Sequence, residues 1–570
     1  MIEDVYEPLS RYRDEFRAKF AQLAEAKFRE LLAKSGVDVA QNVSLVKAIR
    51  RLEKSADSVR SRRAWITFAL VVAILVTVGL GFWAYMLHGD GDAVGGVKAL
   101  GGAMALAALT IFLFRSRCGL SRDLERLEAQ VTVKKSEAYR QMAPLNALYD
   151  WDIPPRLIEA TVPRLAFDPF FTEGRFDELC SRFGWSDEND DKTSMLFAQS
   201  GTINGNPFVF GEYLRQDWGE KTYHGQLVIH WTEWERDAKG NSRLVNRSET
   251  LHASVTKPLP VYGKDKFLLY GNDAAPDLTF MRRPSKLSGM GDGLFARMRK
   301  RSAARKLERF SHNLDDESQY TMMGNKEFET LFNTRDRNHE VQFRLLFTPL
   351  AQTQMLALLK DRAVGYGDDF SFRKSHRMNV IRAAHLSSFP IDTDPHRFYD
   401  YDVRNAEKTF REFNEEYFRS VYFALAPLLA VPLYQQTRTP EDIWKGVAIT
   451  PSSYWEHEAM VNWCGARHFK PADCLTECIL KTASAGTNGK ARVVDVTAHG
   501  FRGEQRVDHV SVHGGDGHRH EVPVEWTEYL PTQHTTRVEM EDRRGVSLQD
   551  FAASGATADR YRRAMVLRVR

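Results

Sequence analysis

The last quarter of the chain contains four residues that could hold a metal ion. They follow the pattern Cys464-x3-His468-x5-Cys474-x3-Cys478, which offers three sulfur ligands and one imidazole. Four such ligands can close a structural zinc tetrahedron, and two ligands four residues apart on a helix can point at one ion. The spacing differs from that of standard zinc fingers, and Pro471 interrupts it. The alternative is a set of free buried cysteines that pack as small apolar side chains. Zinc is the only cofactor that the sequence suggests.

A second histidine cluster lies in the segment His513-Gly-Gly-Asp-Gly-His518-Arg-His520. Its glycines and aspartate favour a hairpin turn between strands at 507–512 and 521–526. Histidines on facing strands could bind a metal or respond to pH. The alternative is a set of exposed turn residues without a special role.

Common catalytic signatures are missing from the sequence. It has no Gly-x-Ser-x-Gly, no His-Glu-x-x-His and no dinucleotide-binding Gly-x-Gly-x-x-Gly. Gly486-Thr-Asn-Gly489-Lys490 is similar to a phosphate-binding loop but lacks the Ser or Thr that should follow the lysine. The pair Asn488-Gly489 before a strand is instead typical of a hairpin turn. These observations favour a protein that is not an enzyme.

Two apolar segments are long enough to cross a lipid bilayer. Residues 64–87 carry no charged side chain, and residues 94–114 carry only Lys98. At 1.5 Å per residue the first segment spans about 36 Å, against about 30 Å for the hydrocarbon layer. The pattern predicts a two-helix transmembrane hairpin. A cleaved signal peptide followed by one anchor fits poorly, because a signal's apolar region is shorter than the first segment.

Arginines flank the two apolar segments on their outer ends, whereas the loop between the segments is acidic. The flanking residues are Arg60, Arg62, Arg63, Arg115, Arg117 and Arg122. The positive-inside rule places such flanks in the cytoplasm. We therefore predict a multi-pass protein of the bacterial inner (cytoplasmic) membrane with both termini cytoplasmic.

Heptad-like apolar seams continue from both predicted spans. The seam residues are Leu45, Ile49, Leu52, Ala56 and Val59 before the first span and Leu120, Leu124, Leu127, Val131, Ala138 and Met142 after the second. Spacings of three and four residues are typical of packed helices, so the seams predict a helical stalk. They could pair within one chain or between subunits. An earlier amphipathic helix is predicted near residues 12–34, with Gly36 as its C-cap.

The chain beyond residue 150 is predicted to be a mixed α+β body. Residues 200–214 are predicted to form a strand, a turn at Asn204-Gly205 and a second strand. Further strands are predicted at 223–234, 244–255, 266–270 and 341–347, and a hairpin is predicted from strands at 370–374 and 378–384. Alternating apolar residues support these strands, including Val341, Phe343, Leu345 and Phe347. A long helix is predicted from about Val403 onward.

A strongly basic helix is predicted at 294–310. It has one acidic residue, Glu308, and seven basic ones, which are Arg297, Arg299, Lys300, Arg301, Arg305, Lys306 and Arg309. A helix of this kind can lie on anionic lipid, where each charge contributes about 1 kcal/mol. Nucleic acid is a second option and a solvated helix is a third. Nucleic acid is not expected as a partner of the whole chain, because its formal net charge is only +4.

The chain resembles an uncharacterised bacterial family over roughly residues 160–430. The similarity rests on the two apolar segments followed by the patterns Ser200-Gly-Thr, Glu327-Phe328 and Leu345-Leu346-Phe347-Thr348-Pro349. Members of that family are inner-membrane proteins with a two-helix hairpin and a cytosolic domain of unknown function. The resemblance implies the same layout, and it provides no substrate and no catalytic residue.

The composition is that of a globular protein, with 43% hydrophobic and 27% charged residues in 570. Disordered, collagen-like and rod-like chains are therefore excluded. Five cysteines are too few and odd in number for a disulfide framework, so reduced thiols are expected.

The predicted fold class is membrane-anchored α+β, with a two-helix transmembrane hairpin, a helical stalk, an α+β cytosolic body and a β-rich C-terminal module. The predicted parts are N-terminal helices and stalk (1–63), transmembrane hairpin (64–114), stalk helix (115–149), two halves of the α+β body (150–310 and 311–435) and the C-terminal module (436–570). The leading hypothesis is a non-enzymatic scaffold or interaction platform at the membrane, with a homo-oligomer or other proteins as partners. The alternatives are a zinc-binding protein or hydrolase that uses the C-terminal Cys/His cluster, and a membrane effector of a stress or phage-defence system.

Overall fold

The computed structural model describes residues 5–89, 93–186, 190–236, 242–290, 293–312, 320–436, 450–489, 491–542, 560–562 and 565–569. The chain has mixed α+β structure, as predicted, and includes two long apolar helices. It divides into two compact units. The helical unit comprises Glu25–Tyr149 and Pro395–Glu412, and the sheet unit comprises Met1–Ala24, Asp150–Asp394 and Phe413–Arg570.

The described helices differ widely in length. In chain order they are α1 (Pro8–Arg11), α2 (Arg17–Ser35), α3 (Val39–Gly89), α4 (Ala93–Asn146), α5 (Ile153–Thr161), α6 (Glu173–Ser181), α7 (Leu294–His312), α8 (Lys326–Phe332), α9 (Glu340–Leu346), α10 (Pro349–Lys360), α11 (Ala384–Ser388), α12 (Val403–Leu429) and α13 (Tyr454–Cys464). A π-helical turn, Tyr12–Phe16, joins α1 to α2. Short 3-10 turns occupy Pro395–Phe398, Pro432–Gln435 and Ala466–His468.

The helices α3 and α4 pack side by side in the helical unit. Ion pairs join them between Glu53 and Lys135 at 2.7 Å and between Arg60 and Glu128 at 2.9 Å. The predicted seams supply buried residues to this contact, namely Ile49, Ala56, Leu124, Ala138 and Met142. The seams therefore pair within one chain, which was one of the two predicted arrangements.

Both α3 and α4 contain a stretch that is long and apolar enough to cross a membrane. Large apolar side chains project from these stretches into the surroundings. Trp65 is 73% exposed, Leu75 67% and Phe112 66%. Soluble proteins rarely leave apolar surface of this extent uncovered.

The strands of the sheet unit form two antiparallel sheets. In chain order they are β1 (Leu165–Phe167), β2 (Thr193–Ile203), β3 (Asn206–Arg236), β4 (Ser242–Gly271), β5 (Thr279–Arg282), β6 (Phe370–Ser375), β7 (Met378–Ala383), β8 (Ile479–Asn488), β9 (Ala491–His513), β10 (Arg519–Asp542), β11 (Arg560–Arg562) and β12 (Met565–Val569). One sheet has the order β1-β2-β3-β4-β7-β6-β5, and the other has the order β11-β12-β10-β9-β8.

The strands β3 and β4 are longer than predicted. The turn at Asn204-Gly205 is confirmed, with φ of 50° and 77°. The segments 223–234, 244–255 and 266–270 are confirmed as strand, but they are parts of the continuous strands β3 and β4 and not separate strands. At about 3.3 Å per residue, each of these strands is on the order of 100 Å long.

The β3–β4 hairpin packs against the β9–β10 hairpin. Ile229, Leu251 and Val522 form a small apolar cluster between them. Gly225 lies so close to the backbone of Pro523 that a Cβ would be 2.1 Å from the Pro523 carbonyl oxygen. The glycine therefore permits the two hairpins to approach each other.

The strand predicted at 341–347 is wrong, since the segment forms helix α9. The His339 side chain accepts a hydrogen bond from the Gln342 N–H at the helix start. Phe343 and Leu346 are buried, whereas Val341 is 72% exposed. The buried positions follow the helical period of three to four residues. The alternation of apolar residues at 341–347 had instead indicated a strand.

Candidate functional site

The four predicted zinc ligands do not form one cluster. The sulfur atoms of Cys474 and Cys478 lie 3.5 Å apart in a buried apolar cluster, whereas His468 is exposed and Cys464 is half-buried. Burial raises the pKa of Cys478 to about 12, so its thiol stays protonated at neutral pH. Among the described residues, no three His, Cys, Asp or Glu side chains are arranged to hold a metal ion. Cys474 and Cys478 therefore agree with the alternative interpretation, in which they are free cysteines packed in an apolar core.

The second histidine cluster, His513, His518 and His520, surrounds the turn between β9 and β10. His520 Nε2 lies 2.9 Å from Asp516, and the Arg519 Nε–H donates to His513 Nε2 at 3.1 Å. The His518 backbone N–H donates to Asp516, and this bond, followed by the His520 side chain, lowers the pKa of Asp516. These contacts hold the turn together, which agrees with the alternative interpretation as turn residues.

The predicted basic helix is confirmed as α7. Its residue Leu307 is buried, whereas Leu294 is 75%, Phe295 83% and Met298 60% exposed. Six of its seven basic side chains form no ion pair with any residue that the structure describes; they are Arg297, Arg299, Arg301, Arg305, Lys306 and Arg309. The remaining one, Lys300, has a contact within the chain. The outer face of α7 is thus both basic and apolar.

The predicted flanking arginines lie on α3 and α4 beside the apolar stretches. Arg62, Arg115 and Arg122 are exposed, and Arg63 is half-buried. Arg60 pairs with Asp57 and Glu128, and the Arg117 Nε–H donates to the Thr67 hydroxyl at 3.3 Å.

A serine, a histidine and an aspartate meet next to α13, but not in the order of a catalytic triad. Ser452 Oγ lies 3.0 Å from His457 Nε2 and 2.9 Å from Asp542 Oδ1. In a triad the carboxylate contacts the imidazole, whereas here it contacts the serine. Burial lowers the pKa of His457 to about 4, so the ring is neutral at pH 7. The three residues form a closed structural network.

A second closed network surrounds His385. Its ring stacks on Tyr366 at 3.9 Å, Nδ1 lies 2.5 Å from Asp369, and Nε2 lies 3.0 Å from the Ser420 carbonyl oxygen. The Tyr366 hydroxyl lies 2.5 Å from Glu416. Both ring nitrogens are already engaged, so the histidine has no free position for exchanging a proton with a substrate.

A cavity of about 410 Å³ opens on one face of the seven-stranded sheet. Strands β2, β3, β4, β6 and β7 form its floor, and α13 and the start of β8 contribute to its walls. This sheet-face cavity is lined by Gly184, Trp185, Ser186, Asp190, Thr193, Met195, Tyr213, Phe267, Arg373, Ser375, Met378, Val380, Arg382, Tyr454, Trp455, Glu458 and Lys481. Its volume is in the range of sites for small molecules.

Two arginines stand on the β6–β7 part of the floor. Ser371 pairs with Arg382 and Arg373 pairs with Val380, so both arginines project from the same face as diagonal neighbours. Both side chains are exposed to the cavity mouth and form no ion pair with any residue in the described part of the chain.

A third cation in the sheet-face cavity is already neutralised. Lys481 Nζ lies 2.8 Å from Glu458 Oε1, and the carboxylate also accepts from the Met195 N–H at 2.9 Å. The Glu458 side chain is 1% exposed. These contacts join α13 to β8 and β2. The two charges are paired because burying either of them alone would be costly.

Aromatic side chains form the apolar part of the wall, namely Trp185, Tyr213, Phe267, Tyr454 and Trp455. Phe267 lies across Gly211 of the neighbouring strand, where a Cβ would be 2.2 Å from the ring. The Trp185 Nε1 atom is buried and has no acceptor among the described residues. An unsatisfied buried donor of this kind costs about 1–3 kcal/mol.

The sequence did not indicate any residue of the sheet-face cavity. The lining residues come from separated segments, and no local motif marks them. Only the cross-strand placement of Arg373 and Arg382 in a predicted hairpin carried a signal, since alternate residues of a strand share a face.

No family model matches this chain, and neither a curated protein nor a solved structure matches it. The resemblance of residues 160–430 to an uncharacterised bacterial family therefore stays a hypothesis.

Proposed function

We propose that this protein is a non-enzymatic, membrane-anchored platform whose sheet unit binds a partner in the cytoplasm. The observation that carries the proposal is the exposed apolar surface of α3 and α4. Side chains such as Trp65, Phe68 and Leu75 are more than 60% exposed. Removing apolar surface from water gains about 25 cal/mol per Å², so a bilayer is the environment that these helices favour.

The charge pattern supports one orientation in a bacterial inner membrane. The arginines that flank both apolar stretches favour the cytoplasmic side, and the acidic loop at 88–92 favours the opposite side. Both networks with catalytic residue types are closed, which supports a role in binding rather than catalysis.

Insertion can be tested by extracting cell membranes with alkaline carbonate. We expect the full chain to stay in the pellet and a variant without residues 64–114 to move to the supernatant, because the deletion removes the apolar surface. Recovery of the full chain in the supernatant would contradict the proposal.

Orientation can be tested by labelling His88→Cys in spheroplasts with a maleimide that does not cross membranes. We expect labelling of this variant before lysis, since position 88 would face the periplasm. The wild type, which has five native cysteines outside the apolar stretches, is the matched control and should be labelled only after lysis. Labelling of the wild type in intact spheroplasts would contradict the proposed orientation and indicate the opposite one.

We also propose that α7 contacts the anionic surface of the same membrane. On a helix with 100° per residue, Met298, Arg301, Arg305 and Arg309 project from one face, opposite the buried Leu307. Exposed apolar residues next to unpaired arginines are typical of helices that lie at a lipid interface. Each charge close to an anionic surface contributes about 1 kcal/mol.

Contact between α7 and lipid can be measured by hydrogen exchange of the full chain in nanodiscs. We expect residues 294–312 to exchange more slowly with phosphatidylglycerol than with phosphatidylcholine alone. The triple variant Arg301→Gln, Arg305→Gln and Arg309→Gln should lose this difference. The control removes three exposed charges from β4 (Arg243→Gln, Arg247→Gln and Lys264→Gln) and should keep it. Equal exchange in both lipids would disprove the contact.

A further inference from the structure

We propose that the sheet-face cavity binds a phosphate monoester that carries an aromatic ring. The phosphate would lie at Arg373 and Arg382, and the ring would lie between the aromatic side chains. All lining residues belong to the sheet unit. The inference therefore does not depend on membrane insertion, and its test can fail while the anchoring experiments succeed.

The described lining residues include three cations and two carboxylates, which favours an anionic ligand. Lys481 and Glu458 neutralise each other, and Asp190 Oδ1 accepts from the Lys192 backbone N–H and the Thr193 hydroxyl. Arg373 and Arg382 form no ion pair with any described residue, and Asp190 keeps its charge because neither of its donors is a cation. Two guanidinium groups match a phosphate dianion better than a single carboxylate.

The position of the two arginines also fits one phosphate group. They are diagonal neighbours on paired strands, within the distance that long side chains bridge across a sheet. Guanidinium groups offer planar sets of N–H donors that suit phosphate oxygens. The rigid β6–β7 pairing holds both residues on the same face of the floor.

The apolar wall favours a flat ring as the remainder of the ligand. Trp185, Tyr213, Tyr454 and Trp455 border the same space, and aromatic rings pack well on planar groups. A planar ring of this kind would fill the space between these side chains.

The test measures binding of adenosine 5′-monophosphate to the detergent-solubilised full chain by equilibrium dialysis. The probes adenosine and inorganic phosphate represent the two halves of the molecule. We expect saturable binding of the monophosphate and at least tenfold weaker binding of each half, because only the whole molecule contacts both parts of the cavity. Absence of saturable binding of the monophosphate would overturn the proposal, as would equal binding of adenosine alone.

The double variant Arg373→Gln and Arg382→Gln should weaken monophosphate binding at least tenfold. Arg377→Gln is the matched control, since Arg377 lies in the β6–β7 turn, faces Asp273 at 3.7 Å and does not line the cavity. Trp185→Ala removes one aromatic side chain of the cavity wall, so it should weaken binding of the monophosphate and leave binding of phosphate unchanged. An unchanged thermal midpoint would show that each variant is folded. Equal binding by the wild type and the arginine double variant would overturn the proposal.

Discussion

Replacement of Asp368 by alanine is expected to lower the free energy of unfolding by about 3–5 kcal/mol. Asp368 pairs with Arg282, and both side chains are 0% exposed. The carboxylate also accepts from the Ser285 N–H at 2.8 Å and from the Ser288 hydroxyl. Burial already lowers the pKa of Arg282, and the substitution would remove the carboxylate that opposes this effect.

The effect of Asp368→Ala can be measured by urea unfolding of the detergent-solubilised full chain, followed by tryptophan fluorescence. Asp217→Ala is the matched control, because the Arg215–Asp217 pair is about half exposed and such pairs contribute less than about 1 kcal/mol. The combined variant Arg282→Met and Asp368→Leu should recover much of the loss, since no buried charge remains. If Asp368→Ala were as stable as Asp217→Ala, the role assigned to the buried pair would be wrong.

Replacement of Lys374 by methionine is expected to raise the free energy of unfolding by about 2–3 kcal/mol at pH 6. Lys374 is 1% exposed, and burial lowers its pKa from 10.5 to about 7. Its ammonium group donates to the Ala274 carbonyl oxygen at 2.9 Å. Methionine keeps the apolar stem but removes the charge, so the gain exceeds the loss of this hydrogen bond.

The pH dependence of Lys374 has a definite sign. Between pH 7 and 10.5 the unfolded chain holds this proton more strongly than the folded chain does. The contribution of Lys374 to stability therefore increases with pH across that interval and is lowest below pH 7. We expect the difference between wild type and Lys374→Met to shrink as the pH rises from 7 to 10. The exposed Lys264→Met serves as the control, and a difference that stays constant with pH would contradict the assignment.

Features that depend on neighbouring residues could be predicted well. The apolar stretches of α3 and α4, the basic helix α7 and the turn at Asn204-Gly205 follow from residue types within a few positions of one another. The same holds for the start of α10, where the Thr348 side chain accepts from the Ala351 N–H ahead of Pro349. Local steric preferences and hydrogen bonds decide such elements before any distant contact forms.

Features that depend on distant residues could not be predicted. The segment 341–347 became a helix because Phe343 and Leu346 pack into a core built by other segments. Tertiary packing can override a local pattern of this kind. The predicted zinc ligands likewise do not come together, since Cys474 and Cys478 lie in an apolar cluster while His468 is exposed.

Residue types and spacing alone were enough to specify two long apolar helices, a basic helix and a mixed α+β chain. The sheet-face cavity required the folded chain, because Trp185, Arg382 and Lys481 come from segments that only long-range strand pairing and helix packing bring together. Hydrogen bonds between neighbouring residues form within one short segment, whereas a cavity forms only when several distant segments pack around it. That difference explains why the two predicted clusters could be recognised from local spacing, whereas the sheet-face cavity could not.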